Sequence, residues 1–335
     1  MNSPFIIAEI GVNHDGDLQK AKKLILEAKL AGASAVKFQS FSAEKLASTN
    51  TPKVGYQKLR DKSENHFQML KSLELTFNQQ EKLYQFSMDN EIEFMSTPYS
   101  CDQADFLFDL GVLKFKTASA DIVDIPLHRK IASFGKLTYI STGMATPEEI
   151  SQVTEIYEKE NCPFTLMHTT SEYPCPIDHA NMNKLRTLNG GNAEGIGFSD
   201  HTYGNIAAVV AVGMGCKVFE KHFTLNRDDP GPDHLASSNP AEFKSYVSDI
   251  LLAWRGLGLQ NLEMSSEEVD MRHVSRKSLH YSKNCFRGQM ITLQELSFMR
   301  PGNGLNWLTA EKILPKKLKV DVTSGSLVNL SDFEE

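Results

Sequence analysis

Strand-like runs and helix-like runs alternate along most of this chain, and few folds accommodate that pattern. FIIAEIG (Phe5–Gly11) is followed by a turn at Asn13-His14-Asp15-Gly16, then by residues 19–32, whose apolar positions recur at helical spacing and stop at Gly32. The alternation continues with AVKFQSF (35–41), a helix around 76–90, EIEFMSTPY (91–99), a short helix near 102–110 and LKFKTAS (113–119). A helix around 125–134 precedes KLTYIST (136–142), and Thr146-Pro147-Glu148-Glu149 opens the next one with Thr at the cap and Pro in the first turn. FTLMHTT (164–170), GIGFSDH (195–201) and VFEKHF (218–223) bring the strand-like runs to eight, and a helix over 240–257 closes the set. Eight βα units predict an α/β TIM (β/α)8 barrel over residues 1–262. The polar excursion from Ser42 to Lys71 is too long for a simple connection and is expected to form a lid or binding loop. A linker is expected at 263–272, and short β-type pieces broken by Gly and Ser predict a small β-rich domain at 273–335.

The stretch 194–223 places chemistry on that frame. Its two β-type runs end at His201 and His222, and the intervening Ala/Gly/Val-rich segment is long enough for one crossover helix. Two imidazoles then stand side by side at the carboxyl ends of neighbouring parallel strands, the edge where such folds put their sites. A neutral pair with no thiolate nearby suits a divalent metal that keeps positions open for water and substrate. The other strand ends carry Glu9, Lys37 with Gln39, Thr97, Lys116 with Ser119, Ser141, and Ser171 with Tyr173. Two lysines and several hydroxyls on one rim would hold a phosphate or carboxylate. A Ser199-Asp200-His201 triad is rejected, because consecutive residues of a strand point to alternating faces.

Net charge is −7, and residues 1–259 carry 25 basic against 32 acidic residues while the remainder is balanced. No basic stripe exists to displace counterions, so nucleic acid is excluded as a partner. Five scattered cysteines without a CxxC indicate neither a disulfide framework nor a zinc site. The N-terminus lacks a signal peptide's basic and apolar regions, and no run approaches the roughly 20 apolar residues of a membrane span. A cytoplasmic protein with no membrane partner is expected.

AEIGVNHDG, VKFQSF, STPYS, FKTASAD, STGMAT, HTTSEYP, GFSDHT, EKHFTL, GPDHLAS and RPGNG, in this order, resemble the sialic acid synthase family along nearly the whole chain. The resemblance implies a TIM barrel followed by an antifreeze-protein-like (SAF) domain, and condensation of phosphoenolpyruvate with an N-acyl hexosamine to give a nine-carbon 2-keto-3-deoxy acid. Carried over by position, it puts the metal, Mn2+ or else Mg2+ or Co2+, on His201 and His222. It puts phosphoenolpyruvate on Lys37, Thr97, Lys116, Ser119, Ser141, Ser171 and Ser199. Glu9 and Asp121 become the proton-handling carboxylates, and Gln39, Tyr173 and Asp233 touch the sugar. Arg300 matches an arginine that one subunit inserts into the barrel of another, implying a domain-swapped homodimer.

Three positions depart from the family pattern. Asp121 stands where Glu is usual, one methylene shorter, Ser171 where Asn or Thr is frequent, and LPKKLK where Leu-Gly-Lys is more usual. GPDHLAS resembles the form found in synthases of sialic and legionaminic acids, which implies a manno-configured acceptor rather than the altro-configured one of pseudaminate synthases. A pseudaminate synthase, a pyruvate-dependent aldolase and a non-catalytic sugar-binding barrel are the competing readings.

Overall fold

A computed structural model describes residues 3–52, 63, 65–188, 193 and 195–334. The chain divides into two compact units, Met1–Gly258 and Leu259–Glu335.

The first unit is a nearly closed barrel of eight parallel strands with helices around it. Its strands are β1 (Phe5–Gly11), β2 (Ala35–Ser40), β3 (Glu93–Pro98), β4 (Phe115–Thr117), β5 (Thr138–Ser141), β6 (Phe164–His168), β7 (Ile196–Asp200) and β8 (Cys216–His222). Hydrogen-bonded neighbours run β3-β2-β1-β8-β7-β6-β5-β4, so the first strand pairs with the last, Glu9 opposite His222. β3 and β4 lie side by side without ladder hydrogen bonds. The surrounding helices are α1 (Leu18–Leu30), α2 (Ala43–Leu46), α3 (His66–Leu73), α4 (Phe77–Asp89), α5 (Cys101–Leu110), α6 (Ile125–Ser133), α7 (Pro147–Lys159), α8 (Ile206–Gly213) and α9 (Pro240–Gly256).

Local chemistry sets these boundaries. Asp17 caps α1 by accepting from the amides of Gln19 and Lys20, and Thr146 with Glu149 forms a reciprocal capping box at α7, with Pro147 in its first turn. Among the described residues, only short 3-10 turns, Ile177–His179 and Met182–Thr187, follow β6 in place of a full helix.

The two faces of each strand do different work. Outward positions such as Ile6, Ala8, Val36, Phe38, Phe94 and Phe219 join the helices in one large buried cluster. Inward positions Ile7, Ala35, Met95, Tyr139, Met167 and Val218 form a separate apolar layer inside the barrel. Two residues further along the same strands stand Glu9, Lys37, Thr97, Ser141 and Glu220, because the side-chain period of a strand is two. The apolar layer thus floors a polar one at the carboxyl edge.

Part of the 42–71 excursion is α2 and α3, which pack their apolar faces with Val12, Phe41 and Tyr99; residues 53–62 and 64 lie outside the described ones. All five cysteines are free, and all but Cys101 are buried.

The second unit has its own core of Leu279, Tyr281, Cys285, Ile291, Leu296, Leu305, Ala310, Leu318, Val328 and Phe333. Strands β9 (Ser278–Tyr281) and β11 (Leu296–Met299) pair antiparallel, as do β10 (Met290–Ile291) and β12 (Lys316–Lys317). Most of the expected linker at 263–272 is helical: Ser266–Ser275 forms α10, started by a Ser265–Glu268 capping box. It buries none of its residues, so it lacks the periodic apolar stripe by which a helix is normally recognised. Among the described residues no helix is long and apolar enough to cross a membrane.

Candidate active site

The polar layer opens into a cavity of about 380 Å3 at the carboxyl ends of the strands. Its lining includes Glu9, Lys37, Gln39, Thr97, Lys116, Ser119, Ser141, Tyr173, Ser199, His201, His222 and Asp233.

Four buried charges form its floor. Lys37 Nζ lies 2.6 Å from Glu9 Oε2 and 3.8 Å from Glu220 Oε2, and Lys116 Nζ lies 3.7 Å from Glu220 Oε1. Lys37 also donates to Thr97 Oγ1 (3.1 Å), and Lys116 donates to Ser141 Oγ (2.5 Å) and the Thr117 carbonyl (2.9 Å). Ser199 Oγ donates to Glu220 Oε1 (3.2 Å), and Gln39 Nε2 to Glu9 Oε1 (3.0 Å). Each lysine is therefore aimed by a strand-end hydroxyl.

Burial acts unequally on these groups. It lifts Glu9 to about 7 against the pull of Lys37, and it lowers Lys116 to about 8 despite Glu220. Burial works against the charged form of Glu220 too, but Lys116 and Lys37 outweigh it and hold the carboxyl below its ordinary range. Lys37 is raised, since Glu220 and Glu9 together overcome the burial that opposes its charge. Near neutral pH the floor thus keeps a fixed cation and a fixed anion beside a carboxyl and an amine that can exchange protons.

His201 and His222 sit beside this floor with ring centroids 5.5 Å apart, and Tyr173 packs on His201 at 4.0 Å. His201 Nδ1 lies 2.7 Å from the Thr170 carbonyl, an acceptor, so Nδ1 carries the proton and Nε2 keeps its lone pair. Burial pushes His201 down to about 4 and His222 well below the usual imidazole value, so both rings are neutral. His222 Nδ1 is buried without a hydrogen-bond partner, 3.9 Å from Asp233 Oδ2. Two neutral imidazoles, one with its tautomer fixed and one with an orphaned nitrogen, fit a divalent cation.

Another acidic group is already satisfied. Asp15, Asp229 and His234 bring ligand atoms within 4.8 Å of one another. Lys20 Nζ, however, lies 2.6 Å from both carboxylates, so an ammonium neutralises them. The cluster ties the loop after β8, which carries Pro232 and Asp233, to the loop after β1. His234 Nε2 approaches Asp15 Oδ1 at 3.1 Å, and Ser237 Oγ donates to the Asp233 carbonyl at 2.7 Å while accepting from Asn13 Nδ2. Gly231, at φ +145°, leaves room for this: a Cβ there would come 2.8 Å from the His234 ring.

Two expected residues of the barrel stand apart from the lining. Ser171 Oγ is buried beside Gly143, where Thr169 and Ser119 also converge closely enough to exclude a Cβ. Asp121 lies in the 3-10 turn Ser119–Val123, its Oδ2 buried without a hydrogen-bond partner. Burial, reinforced by Asp124, raises Asp121 to about 7 although Lys116 opposes it. Arg300 is exposed, just beyond β11 in the second unit.

Sequence reasoning missed Glu220, the anion on which both lysines converge. It lies two residues before His222, hence on the same strand face, and that period could have found it. The cavity residues of α2 and α3 lie in or beside the excursion expected to form a lid or binding loop, but no motif singled them out.

The NeuB family pattern matches residues 24–261. This chain belongs to the NeuB family. An N,N'-diacetyllegionaminic acid synthase of Legionella pneumophila is 38% identical over 96% of this chain and 92% of its own. A pseudaminic acid synthase of Campylobacter jejuni is 31% identical over 98% of this chain and 96% of its own. A crystal structure of an N-acetylneuraminic acid synthetase from Leptospira borgpetersenii, 33% identical, superposes with a TM-score of 0.73 over 81% of this chain and 92% of that one. The resemblance drawn from ten sequence motifs is thereby borne out at the level of family.

Proposed function

We propose that this NeuB-family chain condenses phosphoenolpyruvate with a manno-configured N-acyl hexosamine and water, giving a nonulosonate of the N-acetylneuraminate or legionaminate type and inorganic phosphate. The observation that carries the reading is the floor, where two buried lysines, each held by a strand-end hydroxyl, share one buried carboxylate beside a neutral imidazole pair. Lys37 and Lys116 would neutralise the phosphate and carboxylate of phosphoenolpyruvate, with Thr97, Ser119, Ser141 and Ser199 as the hydroxyl set that orients it and Ser171 supporting Ser119 from its buried place beside Gly143. Such preorganised charge in a water-poor site is the largest catalytic contribution expected here.

The bonds balance as follows. C3 of phosphoenolpyruvate supplies its electron pair to the aldehyde carbon of the open-chain sugar, whose oxygen takes up a proton. Water adds at C2 and loses a proton, and the C2–O bond to phosphate breaks. A divalent cation held by His201 and His222, Mn2+ or else Mg2+ or Co2+, would supply Lewis acidity at the aldehyde. Glu9, with its carboxyl lifted to about 7, is the group of the floor best matched to moving a proton at neutral pH. Asp121, next to Ser119 in the same turn, is the second such carboxyl.

Gln39, Tyr173 and Asp233 line the cavity around the histidines and would hold the sugar. An SAF-type second unit whose Arg300 completes the barrel of a partner subunit is the assembly this reading expects. The deciding experiment is phosphate release from phosphoenolpyruvate in the presence of N-acyl hexosamines and a divalent cation. Absence of release with every hexosamine would overturn the proposal, and equal turnover with pyruvate would favour an aldolase.

A further inference from the structure

A buried ion pair stands behind the two histidines, on the side of the barrel wall away from the cavity. β7 and β8 run in register as far as Asp200 opposite Lys221, one residue short of His201 and His222. Ser199, Glu220, His201 and His222 line the cavity, so the alternation of a strand turns Asp200 and Lys221 toward the surrounding helices. Both are buried, at 1% and 3% exposure. Lys221 Nζ lies 3.0 Å from Asp200 Oδ2 and 4.9 Å from the ring centroid of Tyr246 in α9.

The pair also grips Thr202, the residue that follows His201. Asp200 Oδ1 accepts from the Thr202 amide (2.8 Å) and hydroxyl (2.7 Å), while Lys221 Nζ donates to the Thr202 carbonyl (2.7 Å). His201 itself is held through its carbonyl, which accepts from the Cys175 amide (2.8 Å), and through Nδ1, which donates to the Thr170 carbonyl (2.7 Å). The backbone on both sides of His201 is thus fixed by side chains where the strand ladder ends. A buried ion pair adds no more stability than apolar side chains of like volume, so what this one supplies is the arrangement of the groups it bonds.

Resting on the proposed metal role of His201 and His222, we infer that Asp200 and Lys221 are positioning residues for that site. From outside the cavity they fix the turn at Thr202, and through it the placement of the His201 ring relative to His222. Neither side chain touches the cation or a substrate.

The test measures Mn2+ binding directly, from the loss of the free ion's electron paramagnetic resonance signal, in wild type and in the double variant Asp200→Asn/Lys221→Met. Removing both charges together leaves no unpaired ion in the interior, but it takes the ammonium away from Thr202. The melting temperature without Mn2+ should stay within a few degrees of wild type, while Mn2+ affinity falls on the order of tenfold to a hundredfold. Saturating Mn2+ should restore most of kcat, and the KM for phosphoenolpyruvate should not move, because Lys37 and Lys116 are untouched. A merely structural pair would give the reverse, a lower melting temperature with wild-type Mn2+ affinity in the folded protein; that result overturns the inference while the condensation stands. If the double variant does not fold, Thr202→Val replaces it, lacking only the hydroxyl bonded to Asp200. Severalfold weaker Mn2+ binding is then expected, and wild-type affinity overturns the inference. Wild type that binds no Mn2+ takes down the metal reading and this inference together.

Discussion

The floor and the wall of the cavity are built from different materials and by different parts of the chain. Floor residues sit on β-strands, where ladder pairing fixes each backbone position and the two-residue period delivers Glu9, Lys37 and Glu220 one step beyond the apolar layer. Wall residues sit on short helices inserted after β2, which bring Leu46, His66, Met69, Leu70 and Leu73 to the cavity. Charged groups that must keep ångström-scale relations are on the rigid frame. The opposite wall is on an insert, where side chains can change without moving the charges.

Breaking the floor should have the largest effects. His201→Ala and His222→Ala are each expected to reduce turnover on the order of a thousandfold or more, with melting temperatures close to wild type. Full cation-dependent activity in either variant would remove the pair from the metal site. Lys37→Ala should fail differently, because it leaves Glu9 and Glu220 buried without their shared cation. The expected outcome is lost activity together with destabilisation of about 3–5 kcal/mol in urea unfolding. Mixed with Arg300→Ala and allowed to exchange subunits, it should recover activity up to about half of wild type, since one site of each heterodimer would combine an intact barrel with an intact arginine. Heterodimers without activity would place Arg300 outside the site of the partner.

How much of this was legible in the sequence follows the same division. The barrel strands could be read because parallel strands buried on both faces form apolar runs ended by polar residues, and the strand ends gave the floor apart from Glu220. Glu220 was hidden by its neighbours, since in the run EKHF the histidine and lysine draw the reading away from a glutamate that twofold periodicity places inward. The wall was legible only as a region: the over-long excursion 42–71 pointed to a lid or binding loop, but no motif singled out Leu46, Met69, Leu70 and Leu73, and only the fold turns them toward a cavity. α10 escaped for the opposite reason, having capping chemistry but no buried face.

Asp121 offers a smaller, pH-resolved test at the margin of the floor. Its folded pKa, raised to about 7 by burial and then by Asp124, exceeds the unfolded value. Between the ordinary carboxylate range and about pH 7 the folded state therefore holds more protons than the unfolded one, and this carboxyl's contribution to stability declines as pH rises through that window. Asp121→Asn removes the titration. The variant should match wild type near pH 4 and melt a few degrees higher, roughly 3–6 °C, at pH 8, while losing most of its kcat. Identical melting temperatures at both pH values would show that the carboxyl is not held in its acid form.

The mildest change tests the loop that carries Asp233 over the histidine pair. Lys20 reaches Asp15 and Asp229 at 2.6 Å each, and His234, fully buried, links Asp15 to Thr224. Lys20→Met removes the cation and leaves two carboxylates facing one another, so the loop after β8 should be displaced from the loop after β1 by like-charge repulsion. The floor is untouched by this change. The KM for the hexosamine should therefore rise, by about tenfold, while the KM for phosphoenolpyruvate stays put and kcat falls little. The same geometry supplies an internal control. With the ammonium gone, the ligand atoms of Asp15, Asp229 and His234 stand within 4.8 Å of one another, close enough for a divalent ion to replace the lost charge. Excess Mn2+ or Mg2+ should partly restore the hexosamine KM in Lys20→Met and leave wild type unchanged, whereas a defect of packing alone would not respond to the ion. A raised phosphoenolpyruvate KM, or no change in either constant, would show that Lys20 does not position the sugar side of the cavity.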